Sequence, residues 1–363
     1  MRRGACWQTA PAQSSTLCSA RLASQSRSIY ALAALGALVV VGLGGFRLWT
    51  LANEPSRMPD VPPDDDLLML ASLPDAGAAG PRDRLAAGPG RLAFSHGSEG
   101  TVDVQPAAGG APTQLARLGV PVAGLALGPD AAWVTAGRTV RRIPLDGGAP
   151  VVVTDQLVRP HAIAVGDGTV VVVDADPDAQ GPLRASRVVR LSAAAPASSV
   201  GPAVLGHYQG EVDGVVVDHG DAFWTDPFEG SVLGASPGAL APSMLATERG
   251  LPGAVVVVGD QVVWVEKRSE SLWAVARAGG APRQLVQDFA GFAHLTAHGN
   301  RVAWVNEAAV EGQFRVLEVP IGGGEAVAVS PAVDSVDGLA CDGQRLFWLR
   351  DGIVQPVEMG DGF

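Results

Sequence analysis

Lysine is almost absent from this chain: Lys267 is the only one in 363 residues, and 26 cationic residues face 37 acidic ones for a formal net charge of −11. Binding a phosphate backbone takes clustered cations. No arginine stripe makes up the deficit, which argues against nucleic acid as a partner. Cysteine is nearly as scarce. Cys6 and Cys18 precede an apolar run and Cys341 stands alone in a strand pattern, so the main domain has no internal disulfide. Cys341 reads as a small buried apolar residue. A Gly-rich phosphate loop, a Cys/His cluster and a Gly-x-Ser-x-Gly elbow are all missing. Nothing marks a Ser-His-Asp triad, although such triads converge in space rather than along the chain.

What is present is punctuation and short apolar runs. The 46 glycines and 27 prolines, set among Val, Ala and Leu, predict many short strands joined by turns rather than long helices. The N-terminal part is different. Residues 1–29 contain Arg2, Arg3, Arg21 and Arg27 and no acidic residue, and Tyr30 to Phe46 is an unbroken run of apolar residues and Gly that continues past Arg47 to Ala52. A helix rising about 1.5 Å per residue over 30–52 would cross a hydrocarbon core about 30 Å thick. Arg47 would snorkel and Trp49 would anchor at the interface. The expectation is a cytoplasmic basic tail (1–29), a transmembrane anchor (30–52) and an exported remainder. The competing reading is a signal cleaved after Ala52, which Arg47 interrupts. Residues 53–66 (NEPSRMPDVPPDDD) have the composition of an extended tether.

From Asp83 onward one pattern recurs at a spacing of roughly forty residues. Its clearest form is Val212 to Asp226, VDGVVVDHGDAFWTD: an apolar strand, a polar turn and a second strand ending Phe-Trp-Thr-Asp. The second strands share a bulky position, read as Phe94, Trp133, Val172, Trp224, Trp264, Trp304 and Trp348. Large aromatics repeating at one position predict packing between successive sheets. A third strand, a Gly-Gly turn such as Gly279-Gly280 and a fourth strand follow, the glycines supplying the positive φ of tight hairpins. The fold expected over 67–363 is therefore an all-β propeller of four-stranded antiparallel blades, seven by this count with six as the alternative. The last unit is a strand short, and Leu67 to Leu73 (LLMLASL) is the expected closing strand.

At VDGVVVDHGDAFWTD the sequence resembles YWTD-type propeller repeats, and more widely the TolB- and NHL-like propellers of bacteria. That resemblance implies a binding or scaffold module rather than a particular activity. Arg159-Pro160-His161-Ala162-Ile163 also looks like a strand start of streptogramin-lyase-like propellers, which would imply a metal-assisted lyase. Gluconolactonase-like propellers would imply Asn among the ligands, and the corresponding column here has none.

That column, just before each first strand, supplies the candidate site around one mouth of the central channel: Asp83, His161, Asp213 and Asp337, with His294 one residue further on. Carboxylates and imidazoles so arranged could bind a divalent cation or a cationic or sugar ligand. Alternatively, Asp before Gly accepts hydrogen bonds from its own turn. A second candidate is Asp174 to Arg187, where Asp174, Asp176 and Asp178 alternate like a calcium loop but Pro177 breaks the run and no bidentate Glu follows. The expected function is non-enzymatic recognition of an envelope protein, glycan or small ligand by a propeller anchored in a bacterial inner membrane and facing the periplasm or the exterior, with no cofactor. The rival is a metal-dependent lyase or lactone hydrolase at the channel mouth.

Overall fold

The computed structural model describes residues 83–178, 185–192, 201–287, 292–308 and 310–357. The expected tail, anchor, tether and closing strand (67–73) lie outside these residues. Among the described residues no helix is long and apolar enough to cross a membrane.

Seven antiparallel sheets make up the fold, six with four strands in meander order and the last with three described strands, Gly338–Cys341, Leu346–Arg350 and Ile353–Pro356. We number them blades 1 to 7 along the chain. Each first strand lies against the first strand of the next blade, and that of blade 7 packs on Arg84–Gly88 of blade 1. The ring is therefore closed and the chain is a seven-bladed β-propeller. Closure is tight: a Cβ on Gly338 would stand 3.0 Å from the Leu85 Cβ, so glycine lets the last inner strand meet the first without displacing Leu85. Around this seam Leu92, Phe94 and Ala107 form one core with Phe347, Leu349 and Val354.

The large aromatics do pack between blades. Trp224 sits on Val171 and Val173 of blade 3, Trp264 on Phe223 of blade 4, Trp304 on Val263 and Val265 of blade 5, and Trp348 on Ala303 and Val305 of blade 6. Each faces the preceding blade, and truncating one such side chain costs about 3–5 kcal/mol. Trp133 breaks the expected pattern. Its partner across the hairpin is Ala126, whereas Val134 pairs with Leu125. By pair spacing, Val134 therefore occupies the shared position. One residue of offset turns a strand side chain to the opposite face, so Trp133 points toward blade 3 and packs with Ile163 and Val172. Blade 3 has only valine at the shared position, and the tryptophan from blade 2 fills that seam from the other side.

The first strands of blades 2, 5 and 6 start earlier than the repeat predicts. Each carries a bulge, at Val122/Gly124, Pro252/Val255 and Ala293/Leu295. Bulges re-aim side chains at the end of a strand, and here they do so at one end of the ring.

Candidate functional site

In a four-stranded meander the start of the first strand and the turn between second and third strands lie at the same end. The five column residues and those turns thus share one face of the propeller. The contacts there show what each residue does.

Asp83 Oδ1 accepts the Gly97 N–H at 3.4 Å, and Asp337 Oδ2 accepts the Asp351 N–H at 3.1 Å. Both carboxylates hold the second-to-third-strand turn of their own blade. Asp213 instead reaches into blade 5 and pairs with Lys267 Nζ at 2.6 Å. This ion pair lies across the bulge of that blade. A Cβ on Gly253 would stand 2.8 Å from the Lys267 Cε and 2.9 Å from Asp213 Oδ2, so any side chain there would make the pair shift. His161 Nε2 lies 3.4 Å from the Val212 carbonyl oxygen and 3.7 Å from Glu211 Oε1. Both are acceptors, which fixes Nε2 as the donor, while Nδ1 is buried without a hydrogen-bond partner. His294 occupies the blade 6 bulge with φ of 49°. The five residues share a face, and the contacts described for Asp83, His161, Asp213 and Asp337 run to neighbouring groups. Among the described residues no three His, Cys, Asp or Glu side chains are placed to hold a metal ion. As placed, the ring is a set of separate polar contacts, and it does not form a coordination shell.

Residues 179–184 of the second candidate lie outside the described residues, and its Asp174 and Asp176, on the described side, are held by local contacts. Asp174 has a fully buried side chain and takes Arg187 through Nε at 3.0 Å and Nη2 at 2.8 Å. It also accepts the Val158 and Arg159 N–H groups at 3.0 and 2.7 Å. Asp176 accepts the His207 ring at 2.7 Å and the Asp178 N–H at 2.9 Å. Burial pushes the Asp176 carboxyl up, but those hydrogen bonds and the charges of His207 and Arg187 outweigh it, leaving the carboxyl below its ordinary value. Sequence spacing could not identify these partners, because Arg187 and His207 lie on the third and fourth strands.

The Trp-Thr-Asp motif of blade 4 is likewise accounted for by the fold. Trp224 is core, the Thr225 hydroxyl donates to the Gly253 carbonyl of blade 5 at 2.8 Å, and Asp226 accepts the Phe228 and Glu229 N–H groups at 3.0 and 3.2 Å. Burial raises the Asp226 carboxyl, and those two bonds only partly offset it. In blade 5 the equivalent Glu266 pairs with Arg249, whose guanidinium stacks 4.0 Å over the Trp273 ring. Two clefts, of about 160 Å³ between the Gly88-Pro89 and Gly128-Pro129 turns and about 380 Å³ beside Gln284–Gln287, lie away from this face.

No family model matches the chain, and no curated protein matches it. Solved structures do. An oligogalacturonate lyase in complex with manganese superposes with a TM-score of 0.57 at 13% identity, over 75% of this chain and 86% of its own. The computationally designed Ika8 protein gives 0.53 at 15%, over 76% and 82%. A putative TolB from Agrobacterium tumefaciens gives 0.49 at 12%, over 68% and 94%. At such identities the likeness of the first two shows the propeller fold alone.

Proposed function

We propose that this protein is an exported, membrane-anchored propeller whose mouth face is a recognition surface for an envelope protein, a glycan or a small ligand. The observation that carries this reading is how the polar groups of that face are held. Asp83, Asp337, Asp213 and His161 are each fixed by a neighbouring backbone or side-chain group. Polar groups already held in place lose little freedom when a partner docks, which is how a rigid scaffold gains affinity. The second reading, a metal-dependent lyase, is favoured by the manganese-bound lyase among the similar folds. It would require Asp213 to leave Lys267.

Site-specific photo-crosslinking in cells making the full chain tests the first reading. Probes at Ser98 and Glu311 report on the mouth face, and probes at Asp260 and Asn300 report on the other; all four positions are exposed. The expected result is a discrete adduct from the first pair alone. Adducts only from the second pair, or from none, would sink the proposal. Manganese-dependent turnover lost in Asp213→Ala would move the lyase reading forward.

A further inference from the structure

On the face opposite the mouth, the turn that joins the first two strands of blade 7 is tied on both sides. Toward blade 1, Arg345 Nη2 donates to the Ala107 carbonyl at 2.6 Å. Toward blade 6, the Gln344 carbonyl oxygen lies 3.1 Å from His298 Nε2. The other ring nitrogen, Nδ1, lies 2.5 Å from Glu318 Oε1, and Arg301 Nε donates to Glu318 Oε2 at 2.8 Å. Glu318 is a carboxylate at 3% side-chain exposure within an otherwise apolar stretch, Val316 to Val319. The mouth face does not use this cluster.

The geometry points to a protonation-controlled latch: His298 and Glu318 hold one shared proton that keeps the blade 6–blade 7 seam closed, and losing it releases the Gln344 turn. A carbonyl oxygen only accepts, so Nε2 must carry a hydrogen. A 2.5 Å contact between Nδ1 and Oε1 also needs a hydrogen between the two atoms. The unit therefore holds both, whether the second sits on nitrogen or on oxygen. The Arg301 guanidinium at Glu318 Oε2 favours the second on nitrogen, as an imidazolium facing a carboxylate.

Remove that proton and one hydrogen is left for two contacts. Glu318 is the more buried partner and the more costly to strand, so the remaining hydrogen stays on Nδ1. Nε2 then turns a lone pair toward the Gln344 oxygen, and that contact is lost. The charged and titratable groups around the unit are Arg301 on the second strand of blade 6 and Cys341, Asp342 and Arg345 on blade 7. Asp342 braces the turn by accepting the Gln344 and Arg345 N–H groups at 2.9 and 2.7 Å. Burial, with the Asp342 and Glu318 charges adding to it, pushes the Cys341 thiol up, which keeps it neutral.

Histidine is the side chain whose ordinary titration falls near neutrality, so the latch closes on acidification and loosens toward alkaline pH. The test uses the full chain with amide hydrogen exchange and imidazole nitrogen NMR across that range. His298 is identified among the six histidines by the signal missing from His298→Gln. Both ring nitrogens should be protonated on the acid side. Amides of the Gln344 turn should exchange about tenfold faster once that signal titrates, as expected for a local opening. In His298→Gln the exchange should lose this step, and the wild-type melting temperature should fall with rising pH relative to the variant. Glu318→Gln keeps the volume and should also abolish the step. A single protonated ring nitrogen at acid pH, or exchange at the Gln344 turn that does not follow the imidazole signal, would overturn the proposal.

Discussion

Blades 3 and 6 have the same pair of positions and use them differently. Near the end of the second strand of blade 3, Asp174 faces Arg187 across the hairpin; in blade 6 the corresponding residues are Asn306 and Arg315. Asp174 takes Arg187 and two backbone amides of the preceding connector. Asn306 spends its Nδ2 on the Glu307 carbonyl at 2.7 Å, while its Oδ1 and the buried Arg315 Nε find no hydrogen-bond partner. The side chains differ by one atom, yet a carboxylate offers a guanidinium two charged acceptors and an amide offers one neutral oxygen. The apolar strand pattern is the same in both blades and cannot account for the contrast. What anchors a blade corner is one polar side chain and the connector amides it gathers.

Making blade 3 imitate blade 6 should have the largest effect. Asp174→Asn leaves Arg187, at 14% side-chain exposure, buried beside a neutral group. Removing one partner of a buried ion pair costs about 3–5 kcal/mol. Urea unfolding of the full chain should show that loss; a change below about 1 kcal/mol would mean that connector packing, not the carboxylate, holds the corner. The reverse exchange, Asn306→Asp, should gain about 1 kcal/mol by giving Arg315 an ionised acceptor. Because that gain needs the ionised carboxyl, its folded-state titration would be depressed. It should be present at neutral pH and fade as acid protonates the new side chain. A loss at neutral pH would show that Arg315 cannot reach across.

These corners also mark the limit of the sequence. Period and punctuation carried the fold: the Gly-Gly turns and the bulky position of the second strand were enough for four-stranded blades and for seven of them. Trp133 was misplaced because blade 2 keeps the same pairing as the other blades but carries its tryptophan one residue before the shared position, and a neighbouring position faces the opposite seam. The candidate ring was legible only as a shared face. Asp213 depends on Lys267, which is 54 residues away by their numbers, and no local spacing records a contact between blades. The Glu318 cluster left a fainter trace, an acidic residue inside an apolar strand, that could have been followed to the nearby His298 and Arg301.

The smallest effect tests whether every buried polar atom without a partner weakens its blade. Tyr208, on the fourth strand of blade 3, meets Trp224 edge-on at 6.3 Å, and Gly206 leaves the room, since a Cβ there would lie 2.3 Å from the phenol oxygen. That oxygen makes no well-formed hydrogen bond, and burial raises the phenol to about 12, with the Trp224 side chain acting against the rise and Asp226 adding a smaller push. Tyr208→Phe removes a hydroxyl with no well-formed hydrogen bond, so stability near neutral pH should stay within about 0.5 kcal/mol of wild type. At high pH the two proteins should part. The unfolded chain gives up the phenol proton at about 10, before the folded state does, so wild-type stability falls as the pH rises from there toward about 12. The Phe variant lacks that fall. Solvent screening of a partly exposed group keeps the difference to about 1 kcal/mol. Superimposable alkaline denaturation curves would show that the Tyr208 hydroxyl finds a partner in solution, which would bring blade 3 closer to full satisfaction and sharpen its contrast with the Asn306 corner.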